Sequence, residues 1–296
     1  MDATAVRRVR AHRVRGWKAV AVLAAVAAGG LSLPGQAAAT EGPIPAVARW
    51  KLATATGTPQ VSPGEGSSGA GLRLGGGAEI DGTEHLIPAP GIMRLDGVDG
   101  YAEATGLPLH TDRSFTLAGW ANPVGNPTKD MTVFSFAGAD DSAVTVRWHY
   151  LRTDPVAGPI GEWQAELRDA DGTGSVTTRV NHSDWYSVME HWTHLAVSYD
   201  ADASRFTLYV DGNLERQVCE PGDPDCREYV STSDTAAPAY DATGGLQIGR
   251  ARSGGAWTEY FEGELDDIWV FQGALSDWRI AQLADYNVEL DTSTVS

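Results

Sequence analysis

The sequence has few cysteines, few basic residues and little helical periodicity. Its 296 residues include two cysteines, and 22 Lys and Arg residues stand against 39 Asp and Glu, a formal net charge of −17. A chain of this charge repels phosphate backbones, so nucleic acid is an unfavourable partner. The sequence also lacks a G-x-S-x-G nucleophile elbow and a phosphate-binding loop, which leaves serine-hydrolase and nucleotide chemistry without support.

The two cysteines lie close together in the chain. Cys219 and Cys226 enclose a Pro-Gly-Asp-Pro sequence, and these residue types form tight turns that let the chain double back. A metal–thiolate site would need further ligands nearby, and the flanking sequence offers none. We therefore predict a disulfide between Cys219 and Cys226, worth about 2–2.5 kcal/mol in the chain-entropy estimate.

The N-terminal segment has the pattern of a secretory signal peptide. Six Lys and Arg residues precede an apolar run from Ala19 to Leu33, and small residues follow as far as Ala39. The run is shorter than the roughly 20 apolar residues that a membrane span needs. We predict that residues 1–39 are removed, that the protein is secreted and that its mature form does not bind membranes; an uncleaved anchor is the alternative.

Removal of the signal peptide makes the charge balance more acidic. It takes six of the 22 basic residues and one of the 39 acidic residues, and leaves 16 basic against 38 acidic residues, a net charge of −22. Neutral sugars or metal cations suit such a protein better than polyanions do, although a high net charge also serves solubility.

The remaining 257 of the 296 residues would form one large domain. We predict a linker over residues 40–46, a domain over residues 47–286 and a C-terminal tail over residues 287–296. Short runs with strand-like character recur along this domain, and an Asp211-Gly212 turn signal ends one of them. The runs cover residues 49–52, 114–120, 131–136, 143–150, 163–168, 193–199 and 206–210.

This pattern predicts an all-β fold, a two-sheet antiparallel sandwich of the jelly-roll type. One short C-terminal helix is expected over Ser276–Tyr286, where Ser276 can act as the N-cap and Ile280 and Leu283 share a face.

Several segments, in this order, carry a family resemblance. They are Met93–Ala102 (MRLDGVDGYA), Ser114–Trp120 (SFTLAGW), His191–Asp200 (HWTHLAVSYD), Phe206–Gly212 (FTLYVDG), Leu246–Arg250 (LQIGR) and Phe261–Ile268 (FEGELDDI). Together they resemble the laminin-G-like (LamG-like) jelly-roll domain of the concanavalin A-like lectin/glucanase superfamily. The resemblance implies two packed antiparallel sheets, binding of sugars or protein partners, and often a structural calcium ion.

We predict a non-catalytic binding module, with carbohydrate as the first candidate partner and an extracellular protein as the alternative. A glycoside hydrolase on the same fold is a third hypothesis. Glu264 and Asp266 lie at alternate positions of one strand, as catalytic carboxylates do in related glucanases. Ile268 and Trp269 stand where the third carboxylate would be expected, which argues against catalysis.

A zinc site is a weaker hypothesis for the histidines. His191 and His194 are three residues apart, so in a strand they point to opposite faces and cannot bind one ion. We interpret both as surface or turn histidines.

Asp266 is the candidate metal ligand. By strand alternation it shares a face with Ile268 and Val270, whereas Asp267 shares one with Trp269 and Phe271, so one carboxylate lies on an apolar face. A buried carboxylate needs a cation or hydrogen-bond donors. One structural calcium ion at Asp266 is one hypothesis; backbone N–H groups or an arginine such as Arg250 are the alternative.

Aromatic residues in loops are the candidate ligand contacts. Trp257 and Tyr260 lie in one probable loop, and Trp185 and Tyr186 lie in another. Exposed aromatic rings beside polar groups are typical of sugar sites; packing within the protein is the alternative for each loop tryptophan. Trp120, Trp192 and Trp269 instead have the sequence context of core residues.

Overall fold

A computed structural model of the chain describes residues 45–83, 86, 91–123, 127–156, 158–183, 191–221 and 226–285. The predicted signal peptide (1–39), most of the linker, the C-terminal tail (287–296), and Trp185 and Tyr186 lie outside the described residues. The described residues all belong to one unit that begins at Gly42. The structural statements below refer to this part of the chain.

The first of two large antiparallel sheets is called the helix-side sheet, because the C-terminal helix packs on it. In spatial order its strands are β16 (Thr232–Asp234), β13 (Arg205–Val210), β12 (Thr193–Asp200), β7 (Phe115–Pro123), β20 (Glu262–Phe271), β5 (Ile92–Asp96) and β4 (Glu79–Asp81), with β1 (Ala48–Trp50) also paired to β20.

The second large sheet is called the hairpin-side sheet. Its strands, in spatial order, are β11 (Thr177–Ser183), β10 (Gly158–Arg168), β9 (Ser142–Asp154), β8 (Met131–Ala137), β17 (Leu246–Ile248), β6 (Tyr101–Ala104), β3 (Leu72–Gly75) and β2 (Val61–Ser62). Two small hairpins complete the described strands: β14 (Arg216–Gln217) with β15 (Tyr229–Val230), and β18 (Ala251–Ser253) with β19 (Ala256–Thr258). The predicted all-β sandwich of two antiparallel sheets is confirmed.

The main core lies between the two sheets. Alternate residues of most strands enter it, among them Leu195, Val197 and Tyr199 of β12. Trp148 of β9 and Trp163 of β10 meet there edge to face, with ring centroids 5.7 Å apart. Each fully buried aromatic or aliphatic side chain contributes about 1.5–3 kcal/mol through removal of apolar surface from water.

A second apolar cluster lies on the outer face of the helix-side sheet. Trp269 and Phe271 of β20 stack there, and helix α1 (Asp277–Leu283) covers them with Ile280 and Leu283. The Ser276 side chain accepts a hydrogen bond from the Arg279 amide, as the predicted N-cap should. The short C-terminal helix is therefore confirmed, and it ends at Leu283.

Two of the three tryptophans predicted as core are buried. Trp120 and Trp269 are 6 % and 3 % exposed, and Trp269 packs in the outer cluster rather than between the sheets. Trp192 is half-buried.

Two local predictions, one turn and one disulfide, are also confirmed. Asp211 and Gly212 both have positive φ, 50° and 73°, which is the requirement of the two-residue hairpin turns that Asp-Gly favours. Cys219 and Cys226 form a disulfide.

Within the described residues, no helix is long and apolar enough to cross a membrane.

Candidate ligand-binding face

The outer face of the hairpin-side sheet carries polar side chains that are nevertheless buried. Trp163, Ala165 and Leu167 of β10 enter the core, so Glu162, Gln164 and Glu166 point outwards. These three outward residues are 1 %, 8 % and 5 % exposed. The name "polar face" is used below for the following group: Glu103, Thr132, Arg147, Glu162, Gln164, Glu166, Gln247 and Arg250.

Arg147 of β9 is the hub of the polar face. Its Nη2 donates to Gln164 Oε1 at 2.6 Å and to Glu166 Oε1 at 2.7 Å. Its Nη1 donates to Glu259 Oε1 at 3.1 Å, and the hydroxyl of Thr132 donates to the other Glu259 oxygen at 2.7 Å. The Arg147 guanidinium thus joins β9 and β10 to Glu259, the residue that follows β19, and Glu259 in turn binds Thr132 of β8.

These contacts fix the charge states at the hub. Burial alone would lower the pKa of Arg147, but Glu259, Glu166 and Asp130 outweigh it and raise that pKa above its ordinary value. Burial would likewise raise the pKa of Glu166, but Arg147 and Arg179 overcome it and hold that pKa below its ordinary value. Both groups therefore stay ionised across the physiological pH range.

Arg250 forms a second polar centre on the same face. It is 5 % exposed, and it donates from Nε to Gln247 Oε1 at 2.9 Å and from Nη2 to Glu103 Oε2 at 3.1 Å. Its guanidinium lies over the ring of Tyr101, 3.2 Å from the ring centroid, and over that of Trp257, at 3.8 Å. Cation–π contacts of this kind add about 0.5–2 kcal/mol each.

The β18–β19 hairpin brings two predicted ligand contacts to this face. Trp257 lies in β19, Tyr260 follows it, and both are half-buried. Tyr260 forms a hydrogen bond with Arg250, and the guanidinium of Arg252 lies 4.7 Å from the Trp257 ring centroid. Trp185 and Tyr186, the other predicted pair, lie outside the described residues.

The β14–β15 hairpin, which the disulfide adjoins, borders the other end of the face. Arg227 follows Cys226 directly and donates to Glu162 Oε2 at 2.8 Å, and the amide of Asn181 donates to the same oxygen at 3.2 Å. The buried Glu162 carboxylate thus has a cationic partner from one hairpin and a neutral donor from β11.

Sequence reasoning did not identify Arg147, Glu162, Gln164 and Glu166 as site residues. Charged residues that alternate with apolar ones are typical of a strand with one solvated face. The one signal available in the sequence was that three long polar side chains, Glu162, Gln164 and Glu166, alternate with apolar residues in one run.

The Glu264–Ile268 segment, considered as a catalytic motif, lies on the opposite sheet from the polar face. Glu264 accepts hydrogen bonds from Arg94 at 3.2 Å and from the amide of Asn122 at 3.1 Å. The pairing of β20 with β7 shifts register between Asp266 and Trp269, and Asp267 has a φ of 46°. This bulge breaks the alternation assumed from sequence: Leu265 and Ile268 both enter the main core, so Asp266 does not share a face with Ile268.

Hydrogen-bond donors surround the two aspartates at the bulge. Asp266 is fully buried; its Oδ1 accepts from the Asp267 amide at 2.7 Å and its Oδ2 from the Leu86 amide at 3.2 Å. Asp267 pairs with Arg49 at 2.7 Å and accepts from the Trp269 indole at 2.8 Å. Arg250, suggested from sequence as a partner of Asp266, instead belongs to the polar face.

The interpretation of His194 as a surface histidine is wrong. His194 is 1 % exposed, and its ring meets Trp120 edge to face with centroids 5.2 Å apart. Burial lowers its pKa to about 3. His191, by contrast, is exposed, as expected.

A family model described as the concanavalin A-like lectin/glucanases superfamily matches residues 96–281 of the chain. This confirms the resemblance drawn from the ordered segments. A comparison with curated protein sequences gives no match.

Several solved structures share the fold. The binding domain of Paraclostridial Mosquitocidal Protein 1 has a TM-score of 0.55 and 11% identity, covering 82% of this chain and 52% of its own. The ligand-binding domain of botulinum neurotoxin serotype D, solved with N-acetylneuraminic acid, has a TM-score of 0.50 and 12% identity. The match covers 81% of this chain and 50% of that domain. Domain 4 of AbnA, an extracellular GH43 arabinanase from Geobacillus stearothermophilus, was solved with arabinotriose and has a TM-score of 0.50 and 14% identity. The match covers 82% of this chain and 100% of that domain.

The lengths of these proteins differ. This chain spans about half of each toxin binding domain and all of the arabinanase domain. At such identities the similarity establishes the fold alone.

Proposed function

Since the chain belongs to the concanavalin A-like lectin/glucanase superfamily, we propose that it is a secreted, non-catalytic module that binds a neutral oligosaccharide on its polar face. The observation that carries this proposal is the polar face itself. It holds ordered and mostly covered donors and acceptors beside a hairpin whose aromatic residues are half-buried, on a molecule whose net charge is strongly negative.

The pairing of charges on the polar face supports a neutral ligand. Arg147 and Arg250 each donate to a carboxylate, Glu166 and Glu103 respectively, at 2.7 and 3.1 Å. A sugar hydroxyl both donates and accepts, so it can join such a network without leaving a charge unpaired. An anionic sugar would need a cation without a carboxylate partner. The chemistry of arabinotriose therefore fits this face better than that of N-acetylneuraminic acid.

The aromatic residues of the hairpin supply the second element of a sugar site. Trp257 and Tyr260 are half-buried beside Arg250. Sugar rings bury their apolar C–H surfaces against aromatic faces, while nearby polar groups fix the hydroxyls. This combination occurs at one edge of the polar face.

The state of the carboxylates supports a non-catalytic role. Glycoside hydrolysis needs a carboxylic acid of raised pKa and a second carboxylate across the bond that is cleaved. On β10, Arg147 and Arg179 hold the pKa of Glu166 below its ordinary value. Glu162 is buried against Arg227, and Gln164, which cannot ionise, lies between them.

Export is supported by the Cys219–Cys226 disulfide, because disulfides persist mainly in oxidising compartments. N-terminal sequencing of the exported protein should begin at Thr40. Retention of Met1 or of the apolar run would contradict cleavage.

A calcium ion at Asp266 remains a separate prediction. Both Asp266 oxygens accept backbone N–H groups, which favours the hydrogen-bonded alternative. If calcium does bind there, millimolar calcium should raise the melting temperature relative to chelator, because a ligand of the folded state stabilises it. Asp266→Ala should abolish that rise, while Asp267→Ala should leave most of it.

Calorimetric titration with a panel of neutral oligosaccharides, arabinotriose first, tests the proposed function, with N-acetylneuraminic acid as the charged comparison. Trp257→Ala should weaken binding of the neutral sugar about tenfold or more, since stacked aromatic contacts of this size are worth about 1.5 kcal/mol. Trp278→Ala is the matched control, because Trp278 is 59 % exposed on α1, at the helix-side sheet.

Equal losses in the two tryptophan variants would overturn the assignment of the site. Failure to bind any neutral sugar would overturn the proposed function and leave a protein partner as the alternative. Melting curves of both variants establish that they fold.

A further inference from the structure

We propose that His110, Asp112 and Asp241 form a binding site for a divalent transition-metal ion such as Zn²⁺. His110 and Asp112 lie in the loop between β6 and β7, and Asp241 lies between β16 and β17. All three are exposed, and one ligand atom from each lies within 4.8 Å of the others. This site is independent of the polar face and of Asp266.

Two of these ligand atoms lie near the separation of neighbouring ligands on one metal ion. His110 Nδ1 and Asp241 Oδ2 are 2.9 Å apart. Two atoms bonded to tetrahedral zinc at about 2.1 Å are about 3.4 Å apart, so this pair would separate by about 0.5 Å. The ion would replace the hydrogen bond between imidazole and carboxylate, and Asp112 would supply the third ligand with little movement of the loop.

The two loops are held together before any ion binds. The hydroxyl of Thr111, a residue 1 % exposed, donates to the Tyr240 carbonyl at 2.7 Å and accepts from the Ala242 amide at 2.8 Å. The side chain of Gln272 binds both the amide and the carbonyl of His110, at 2.7 and 3.2 Å. The backbone that bears the ligands is therefore fixed, which lowers the entropy cost of assembling the site.

The ligand types select the class of metal. An imidazole nitrogen suits zinc, copper and nickel, whereas calcium and magnesium prefer oxygen ligands alone. Two carboxylates beside one imidazole match the net charge of a divalent ion and leave positions for water. The negative charge of the whole chain, −17, further favours a cation.

Calorimetric titration of ZnCl₂ into the full chain, prepared without a histidine tag, tests the proposal. We expect one Zn²⁺ per chain at this site, and His110→Ala and Asp112→Asn should each weaken its binding at least tenfold. Asp202→Asn removes an exposed carboxylate from the turn after β12 and should leave the affinity unchanged. Asp241 is not substituted, because it also accepts the Thr111 amide.

The outcomes distinguish the site from chance binding to an acidic surface. Zn²⁺ affinity that is the same in all three variants, or no Zn²⁺ binding at all, would overturn the proposal. Ca²⁺ should bind at least tenfold more weakly than Zn²⁺, and equal affinity would contradict the assigned role of His110. Melting temperatures of the metal-free variants should match that of the parent, which shows that the losses concern the site.

Discussion

At the scale of single residues, this protein pairs its buried charges across long distances in sequence. Arg49 and Asp267 are 218 residues apart in the chain, and their side chains are 8 % and 9 % exposed. On the polar face, the buried carboxylates of Glu166 and Glu162 are also paired, with Arg147 and with the partly exposed Arg227, 19 and 65 residues away in the chain. Removing one member of such a pair takes a charged partner away from a desolvated group, which costs far more than losing an exposed ion pair.

Asp267→Asn should show this cost. Asparagine tolerates the left-handed φ of 46° at this position, so the substitution removes the charge without adding backbone strain. We expect the free energy of unfolding to fall by about 2–3 kcal/mol in urea denaturation.

Glu65→Gln provides the control for that experiment. Glu65 pairs with Lys51 at 3.3 Å, and its side chain is 58 % exposed, so the loss should stay within about 0.5 kcal/mol. Equal losses for the two substitutions would contradict a buried pair at Asp267.

His194 should make stability depend on pH. Burial lowers its pKa to about 3 in the folded chain, against about 6.5 when unfolded. Between these values the unfolded chain binds the proton and the folded chain does not, so stability is lost as the pH falls below about 6.5.

The contribution of His194 from pH 7 to pH 5 should be about 2 kcal/mol. His194→Phe keeps an aromatic ring beside Trp120 and removes the titration. The free energy of unfolding should therefore fall less between these two pH values in the variant than in the parent. The same fall in both proteins would show that His194 is not buried in its neutral form.

At the scale of elements, two hairpins outside the large sheets shape the candidate site. The β18–β19 hairpin brings Trp257 over Arg250, and the segment after β14 brings Arg227 to Glu162. The disulfide lies next to the β14–β15 hairpin. We therefore expect this covalent bond to keep the hairpin and Arg227 ordered.

Replacement of both Cys219 and Cys226 by serine should lower the free energy of unfolding by about 2 kcal/mol, because a short closed loop is released in the unfolded chain. Hydrogen exchange should rise in β14, β15 and the adjoining β11, because the Val230 amide of β15 donates to Asn181 Oδ1 of β11 at 2.9 Å. Exchange in α1 should stay as in the parent. A uniform rise across the whole domain would contradict a local role for the disulfide.

The elements themselves could largely be predicted from sequence, for a physical reason. Alternation in β12, the Asp211-Gly212 turn and the Ser276 cap are local signals, and each corresponds to the observed element. The bulge at Asp267 depends on how β20 pairs with β7, and no local pattern specifies such a pairing.

The candidate site was only partly predictable, for the same reason. Trp257 and Tyr260 could be proposed because loop aromatics stand out in the sequence. Arg147 and Glu166 could not, because their burial arises from partners on other strands and on the hairpin. From the sequence, the partner of Asp266 could be a cation, backbone amides or Arg250. The fold shows that Arg250 instead binds Gln247 and Glu103 on the polar face.

At the scale of the whole molecule, the two outer faces of the sandwich differ in chemistry. Helix α1 covers an apolar cluster on the helix-side sheet, so part of that face is used for folding. The hairpin-side sheet instead carries paired charges and amides that are largely covered, with half-buried aromatic residues at one edge. This asymmetry is the basis for placing ligand binding on the hairpin-side sheet.

Nuclear magnetic resonance of the ¹⁵N-tryptophan-labelled protein tests this placement most directly. The chain has ten tryptophans, and single substitutions identify the indole signals of Trp257, at the polar face, and Trp278, on α1. On titration with the neutral oligosaccharide that binds best, the account predicts that the Trp257 signal shifts in proportion to occupancy while the Trp278 signal stays in place. A saturating sugar that shifts Trp278 and leaves Trp257 unchanged would contradict it.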